Sequence, residues 1–206
     1  MILNRNSKIS AAALTKPAQY AISALQRDMK AVFTETETPG GDIVLAKDSG
    51  LPPECFSLQV HEDNKLILTA ADTLGFVYGL FEISRRFLGV QPFWFWNDQK
   101  FIPTDSVTVP QNFAYESKPA RVRYRGWFVN DETLISHWKV ERRSEMPFVM
   151  VFETLLRLGG NLVIPGTGKN GHRYHDLAWL KLSAQKYRRH RPGLADHRQR
   201  RNAWGR

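Results

Sequence analysis

The sequence predicts an α/β chain built in two unequal parts, and three observations predict it. Over residues 1–118, single amphipathic helices alternate with short strands. After Pro119, a strand, a helix and a second strand follow one another through tight glycine joints. From residue 177 the hydrophobic periodicity stops and basic residues take over. The first part reads as a small α+β domain with helices on one face of a sheet. The second, residues 119–176, reads as the β–α–β unit of a parallel sheet or barrel.

Each element has a local cause. Thr15-Lys16-Pro17 is a helix start, with a hydroxyl at the N-cap and proline in the first turn. Ala18, Ala21, Ile22, Leu25, Met29, Val32 and Phe33 then fall on one helical face. Thr36-Glu37-Thr38-Pro39-Gly40-Gly41 stops that helix, and Asp42 to Ala46 is a short buried strand. Phe56, Leu58 and Val60 alternate with polar residues, as do Leu66, Leu68 and Ala70, so the intervening Asp63-Asn64 predicts a β-hairpin. Asp72 caps a second helix whose core face is Phe76, Leu80, Ile83 and Phe87, and Gly89 closes it. Val122 to Val129 reads as a strand and residues 146–158 as a helix carrying Phe148, Val149, Phe152, Leu155 and Leu156. Gly159-Gly160 ends that helix, and Asn161 to Ile164 is a second strand.

Composition narrows the function classes. At 206 residues, with 42% hydrophobic and 12% aromatic content, the chain can bury a core and is not a disordered polymer. Its longest apolar run, Met146 to Phe152, is far short of the roughly 20 residues a membrane helix needs. One cysteine excludes a disulfide framework and an all-cysteine metal site, and Cys55 reads as a small buried hydrophobe. Ile9 to Leu14 is too short and polar for a signal-peptide core, which points to the cytoplasm. The net charge of +9 is unevenly spread: residues 177–206 hold nine Lys and Arg against Asp196 alone, a net +8, leaving +1 for the rest. Such a tail is either a solvated, disordered end or a phosphate-binding segment; the lack of any period favours the first, so a nucleic-acid partner is not expected.

Few residues offer chemistry. Asn130-Asp131-Glu132 follows directly on the predicted strand ending at Val129, where β/α barrels carry their functional groups, although such acids also serve as turn residues. Gln91-Pro92-Phe93-Trp94-Phe95-Trp96-Asn97 is a dense aromatic run. Aromatic faces stack on sugar rings, but Trp and Phe also bury interfaces, which is the commoner use; Trp94 and Trp96 are the substrate-binding candidates of the run. Gly166-Thr167-Gly168-Lys169-Asn170 is not a phosphate loop, because Val163 stands where its first glycine would be and Asn170 replaces the magnesium-binding Ser/Thr. His172 and His175 lack a third ligand, so no metal is expected.

The run Asp72-Thr73-Leu74-Gly75-Phe76-Val77-Tyr78-Gly79-Leu80-Phe81-Glu82-Ile83, then Gly89-Val90 and Trp94-Phe95-Trp96, resembles the N-terminal domain of glycoside hydrolase family 115, the xylan α-1,2-glucuronidases. Val122-Arg123-Tyr124-Arg125-Gly126-Trp127-Phe128-Val129-Asn130-Asp131-Glu132 resembles that family's entry into its catalytic barrel, as do Leu155-Leu156-Arg157-Leu158 and Asn161. Pro165-Gly166-Thr167-Gly168, where the family usually has Pro-Ala-Met-Trp, marks a divergent branch. The resemblance spans roughly residues 1–176.

It implies a small α+β sandwich N-terminal domain followed by the truncated start of a (β/α)8 barrel. It also implies hydrolysis without a cofactor, on a carbohydrate partner such as glucuronic-acid-bearing xylan. Asp131 and Glu132 become the catalytic candidates and Asn130 a substrate contact. Only 87 residues follow Pro119, against about 250 for a closed barrel, so the chain alone is expected to be inactive and its aperiodic tail to be out-of-frame sequence. The alternative from another class is a non-catalytic carbohydrate-binding or interaction module using Trp94, Trp96 and Trp127.

Overall fold

The computed structural model of the chain describes residues 1–12, 15–129, 135, 137–140, 142 and 146–164. Nine strands are found there: β1 (Ile2–Asn4), β2 (Ile9–Ala11), β3 (Asp42–Lys47), β4 (Phe56–His61), β5 (Lys65–Ala70), β6 (Ser106–Thr108), β7 (Ala114–Glu116), β8 (Gly126–Phe128) and β9 (Leu162–Ile164). The three helices are α1 (Lys16–Val32), α2 (Thr73–Phe87) and α3 (Met146–Arg157).

A five-stranded sheet, ordered β2-β3-β5-β4-β7, carries the first part of the chain. Its β2, β3 and β5 run parallel, while β4 is antiparallel to both β5 and β7. Alternation along β4 and β5 puts Phe56, Leu58, Val60, Leu66, Leu68 and Ala70 on one buried face, as the period-2 pattern requires. The predicted hairpin forms with Asn64 in the left-handed region at φ 61°, a conformation asparagine tolerates. Three-residue strands are too short to display a period, and so β2, β6 and β7 go unpredicted; their partner strands define them.

α1 and α2 pack on each other, and α2 lies on β4 and β5. The predicted face of α1 is buried throughout. Thr15 sits at its N-cap, but its hydroxyl donates to Thr73 Oγ1 (3.3 Å) and caps nothing. Asp72 does cap α2, accepting from Gly75 N at 2.9 Å. The core face predicted for α2 is too narrow. Leu74, Val77, Tyr78 and Phe81 are buried beside Leu80 and Ile83, while Phe76 and Phe87 are only half-buried. The cause is that α2 is covered on several sides, by the sheet, α1 and α3.

The β–α–β unit forms as predicted in order, with β8 and β9 parallel and α3 between them. The first strand is shorter than Val122 to Val129: its ladder exists only opposite β9, which is three residues long. Asn161 ends it, its Oδ1 accepting from Arg125 N at 2.9 Å. α3 closes in a Schellman turn, Gly160 N donating to Leu155 O and Gly159 N to Leu156 O, with Gly159 at φ 72°.

At Gly126 the backbones approach so closely that a Cβ would lie 1.7 Å from Leu162 O. Backbone cannot move aside without losing the ladder. Gly126→Ala should therefore cost about 3 kcal/mol in denaturant unfolding. It should also release the amide of Val129 to hydrogen exchange while those of β4 and β5 stay protected. Unchanged protection at Val129 would contradict this account.

Candidate functional site

Because β8 and β9 are parallel, their C-terminal ends share one edge. Val129 N donates to Ile164 O at 2.9 Å there, the last link described. Asn130, Asp131 and Glu132 continue the chain from that edge and lie outside the described residues, as do Gly166 to Asn170, His172, His175 and residues 177–206. Among the described residues no group of three or more His, Cys, Asp and Glu is placed to hold a metal ion. No helix among them is long and apolar enough to cross a membrane.

The opposite end of the β8–β9 pair is held by polar side chains. Asn161, buried, donates through Nδ2 to Arg123 O (2.8 Å) and to Glu54 (3.1 Å). Arg125 donates to Glu54 Oε2 (2.7 Å) and to Gly159 O (2.8 Å). The Tyr78 hydroxyl donates to Gly160 O at 2.8 Å, and burial, reinforced by the Glu54 charge, pushes its pKa up. Glu54 thus ties the loop before β4 to the segment entering β8 and to Asn161 before β9, and Tyr78 ties α2 to the turn that closes α3.

A second polar cluster fixes α3. Glu153, with no exposed surface, accepts from Arg27 Nη1 (3.0 Å) and Nη2 (2.7 Å), Arg157 Nε (2.9 Å), the Tyr20 hydroxyl (3.0 Å) and Trp94 Nε1 (3.2 Å). Asp28 accepts from Arg27 Nη2 (2.8 Å), the Ser84 hydroxyl (2.6 Å) and Arg157 Nη2 (2.5 Å). Arg157 also lies over the Phe81 ring, 4.5 Å from its centroid. Two arginines thus face two carboxylates, and α1, α2 and α3 each contribute. Sequence reasoning missed this cluster. Its signal was present: Asp28 stands in the apolar stripe of α1, three residues after Leu25, and Glu153 ends the apolar run from Met146 to Phe152 in α3.

The aromatic run packs against the same helix. Trp94 donates to Glu153 and has Arg27 over its ring at 4.8 Å; Trp96 donates to Thr154 Oγ1 at 2.9 Å. The structure therefore seats both tryptophans at the junction with α3, each half-buried. Beyond them Trp138, 42% exposed, packs on Phe95 and Trp96 with centroids 5.6 and 5.4 Å away. Trp127 points its Nε1 into the interior, where no hydrogen-bond partner stands among the described residues. Cys55 is buried, as expected.

The charge balance around Glu153 sets a pH dependence. Burial alone would raise its pKa, but the hydrogen bonds and charges of Arg27 and Arg157 outweigh it and hold the carboxyl at about 2, against an ordinary 4.5. A depressed folded-state value stabilises above the unfolded pKa, and that stability is lost as pH falls toward 2. The shift corresponds to about 3 kcal/mol. Urea unfolding followed from pH 5 to 2 should show wild-type stability falling more steeply than that of Glu153→Gln by about this amount; parallel profiles would refute it.

Residues 117–188 match the model of glycosyl hydrolase family 115. In fold, the chain is similar to a family GH115 4-O-methyl-alpha-glucuronidase, BtGH115A, described as having specificity for decorated arabinogalactans. The TM-score is 0.71 at 23% identity, over 87% of this chain and 28% of that one. It is also similar to a GH20 exo beta-N-acetylglucosaminidase from Vibrio harveyi, with TM-score 0.52, 13% identity and coverage of 79% and 22%. A third likeness is to a GH138 enzyme targeting pectin rhamnogalacturonan II, with TM-score 0.50, 12% identity and coverage of 87% and 23%. No curated protein matches the sequence. The chain spans less than a third of the length of each of these solved structures. Family match and fold agree: this chain is similar to the N-terminal part of a family 115 glycoside hydrolase.

Proposed function

We propose that the chain is the N-terminal part of an α-glucuronidase-like glycoside hydrolase. Residues 1–118 would form an accessory domain, and residues 119–176 the opening β–α–β of a (β/α)8 barrel. The observation that carries this reading is the parallel β8–β9 pair, whose C-terminal edge leads straight into Asn130-Asp131-Glu132. Groups at that edge of a β/α barrel meet the substrate. Asp131 is the site carboxylate, with Glu132 and Asn130 contacting the ligand, a glucuronic acid side group on a plant polysaccharide.

Glycoside hydrolysis takes two carboxylates on either side of the scissile bond, one giving a proton to the leaving oxygen and the other acting as base or nucleophile. A single β–α–β unit presents one strand end with acids, so the chain alone turns nothing over.

A second reading is a non-catalytic carbohydrate-binding module using Trp94, Trp96 and Trp127, each of which keeps part of its surface exposed. Sugar-dependent tryptophan fluorescence that survives Asp131→Ala, with no turnover in any longer form, would favour it.

The decisive assay completes the barrel, joining residues 1–176 to the later strands and helices of a family barrel, and follows release of glucuronic acid from an aryl glucuronide. Asp131→Asn should lower kcat by about 10²–10⁴-fold with the fold intact. Activity within a few-fold of the parent would remove Asp131 from the reaction.

A further inference from the structure

A recess of about 520 Å³ opens between the aromatic run and residues 138–140, lined by Trp94, Phe95, Asp98, Trp138, Lys139 and Val140. We propose that it is a subsite for one neutral pyranose unit, stacked on the exposed face of Trp138. This rests on the reading above that the protein handles carbohydrate, and it places one sugar contact on Trp138, a residue which that reading leaves unused.

Three features of the recess carry the assignment. The first is a ring held still with a face free. Trp138 is 42% exposed, yet Phe95 lies beside it at 5.6 Å and 33°, and Trp96 meets it edge-on at 5.4 Å and 62°. Trp96 is itself pinned by its hydrogen bond to Thr154, whose hydroxyl donates to Met150 O at 2.7 Å. The platform is therefore anchored through two rings to a buried turn of α3, and a ligand need not order it. Axial C–H bonds of a pyranose carry partial positive charge and meet the negative face of an indole, which gives stacking its direction.

The second feature is the rim. It offers one carboxylate, Asp98, and one ammonium, Lys139, an acceptor and a donor with no net charge between them. That suits the hydroxyls of a neutral sugar rather than a uronate or a phosphate. Gln99, also on the rim, is already committed, its Nε2 donating to Gly89 O at 2.8 Å and its Oε1 accepting from Gln91 N at 2.9 Å. It stiffens the wall and is not counted as a contact.

The third feature is placement. Residues 138–140 lie in the connection from β8 to α3, the side of a β–α–β unit on which Asn130 to Glu132 leave the strand. On that reading, a sugar held there would belong to the same polymer as the group being cleaved. The recess would therefore take the neutral backbone, and the acidic side group would go elsewhere.

Calorimetric titration of the whole chain with xylohexaose tests this directly. Saturable binding is expected, weakened about tenfold or more by Trp138→Ala. Since Trp138 also packs on two rings, a second variant, Asp98→Asn with Lys139→Gln, alters only the rim and should weaken binding several-fold. Three results would overturn the proposal: no binding by the wild type, wild-type affinity in both variants, or displacement of the oligosaccharide by free glucuronic acid. The glycosidase reading is judged separately, by turnover of an aryl glucuronide too small to span both places. Either conclusion can therefore fail while the other stands.

Discussion

Everything this structure says about function depends on how α3 is held, and α3 is held by charge inside the protein. Placing Glu153 and Asp28 out of water is costly unless each lone pair finds a donor. Here Glu153 has five donated bonds, and Arg27 and Arg157 return the two charges. Such a cluster adds less net stability than an apolar core of the same volume would. It does fix geometry: a helix packed by leucines can slide by a fraction of a turn, whereas one whose carboxylate must meet two guanidinium groups cannot. The strand before α3 and the recess beside it inherit that fixed position.

The second constraint lies at the other end of the same unit. Glycine at 126 lets the two backbones close, and Asn161 closes the gap from the side, its amide bridging Arg123 and Glu54. Glu54 belongs to the first part of the chain and is also bonded to Arg125. That first part therefore grips the β–α–β unit at two places: the helix, through Asp28 and Arg27, and the entry to β8 with the turn after α3, through Glu54 and Tyr78. A unit of two three-residue strands would be marginal alone. Docked this way, it is an extension of a larger core.

Much of the fold was legible, for reasons that differ between elements. The hairpin and α1 announced themselves because each buries one face, so their periods were clean. α2 did not, because neighbours on several sides blur a stripe: Phe76 lies on the stripe that the sequence marks out and is only half-buried, while Tyr78 lies off it and is buried. β2, β6 and β7 carry too few residues to speak for themselves. At the site, the aromatic run was visible as a composition anomaly, and its docking on α3 agrees with the commoner use of tryptophan. The polar cluster was hidden because one-dimensional reading treats Asp28 and Glu153 as blemishes on apolar faces. Only a partner helix 126 to 129 positions away in sequence turns such a blemish into a specific contact. Trp138 had no local pattern at all; the rings that frame it come from residues 95 and 96.

The distribution of the charge cluster over three helices has a consequence for inheritance. Asp28 and Arg27 lie in the first third of the chain, Glu153 and Arg157 far beyond it on α3, and the two pairs meet only when both segments are present. Any recombination that cuts between α2 and β8 and brings in a foreign α3 must also supply a matching α1, or leave the buried Asp28 without Arg157 and Arg27 without Glu153. The seam between the two parts, which looks from the sequence like a convenient place to exchange modules, is chemically one of the worst. Lineages that shuffled domains in this architecture would be expected to keep α1, α2 and α3 together as a block, and to place their joints farther downstream.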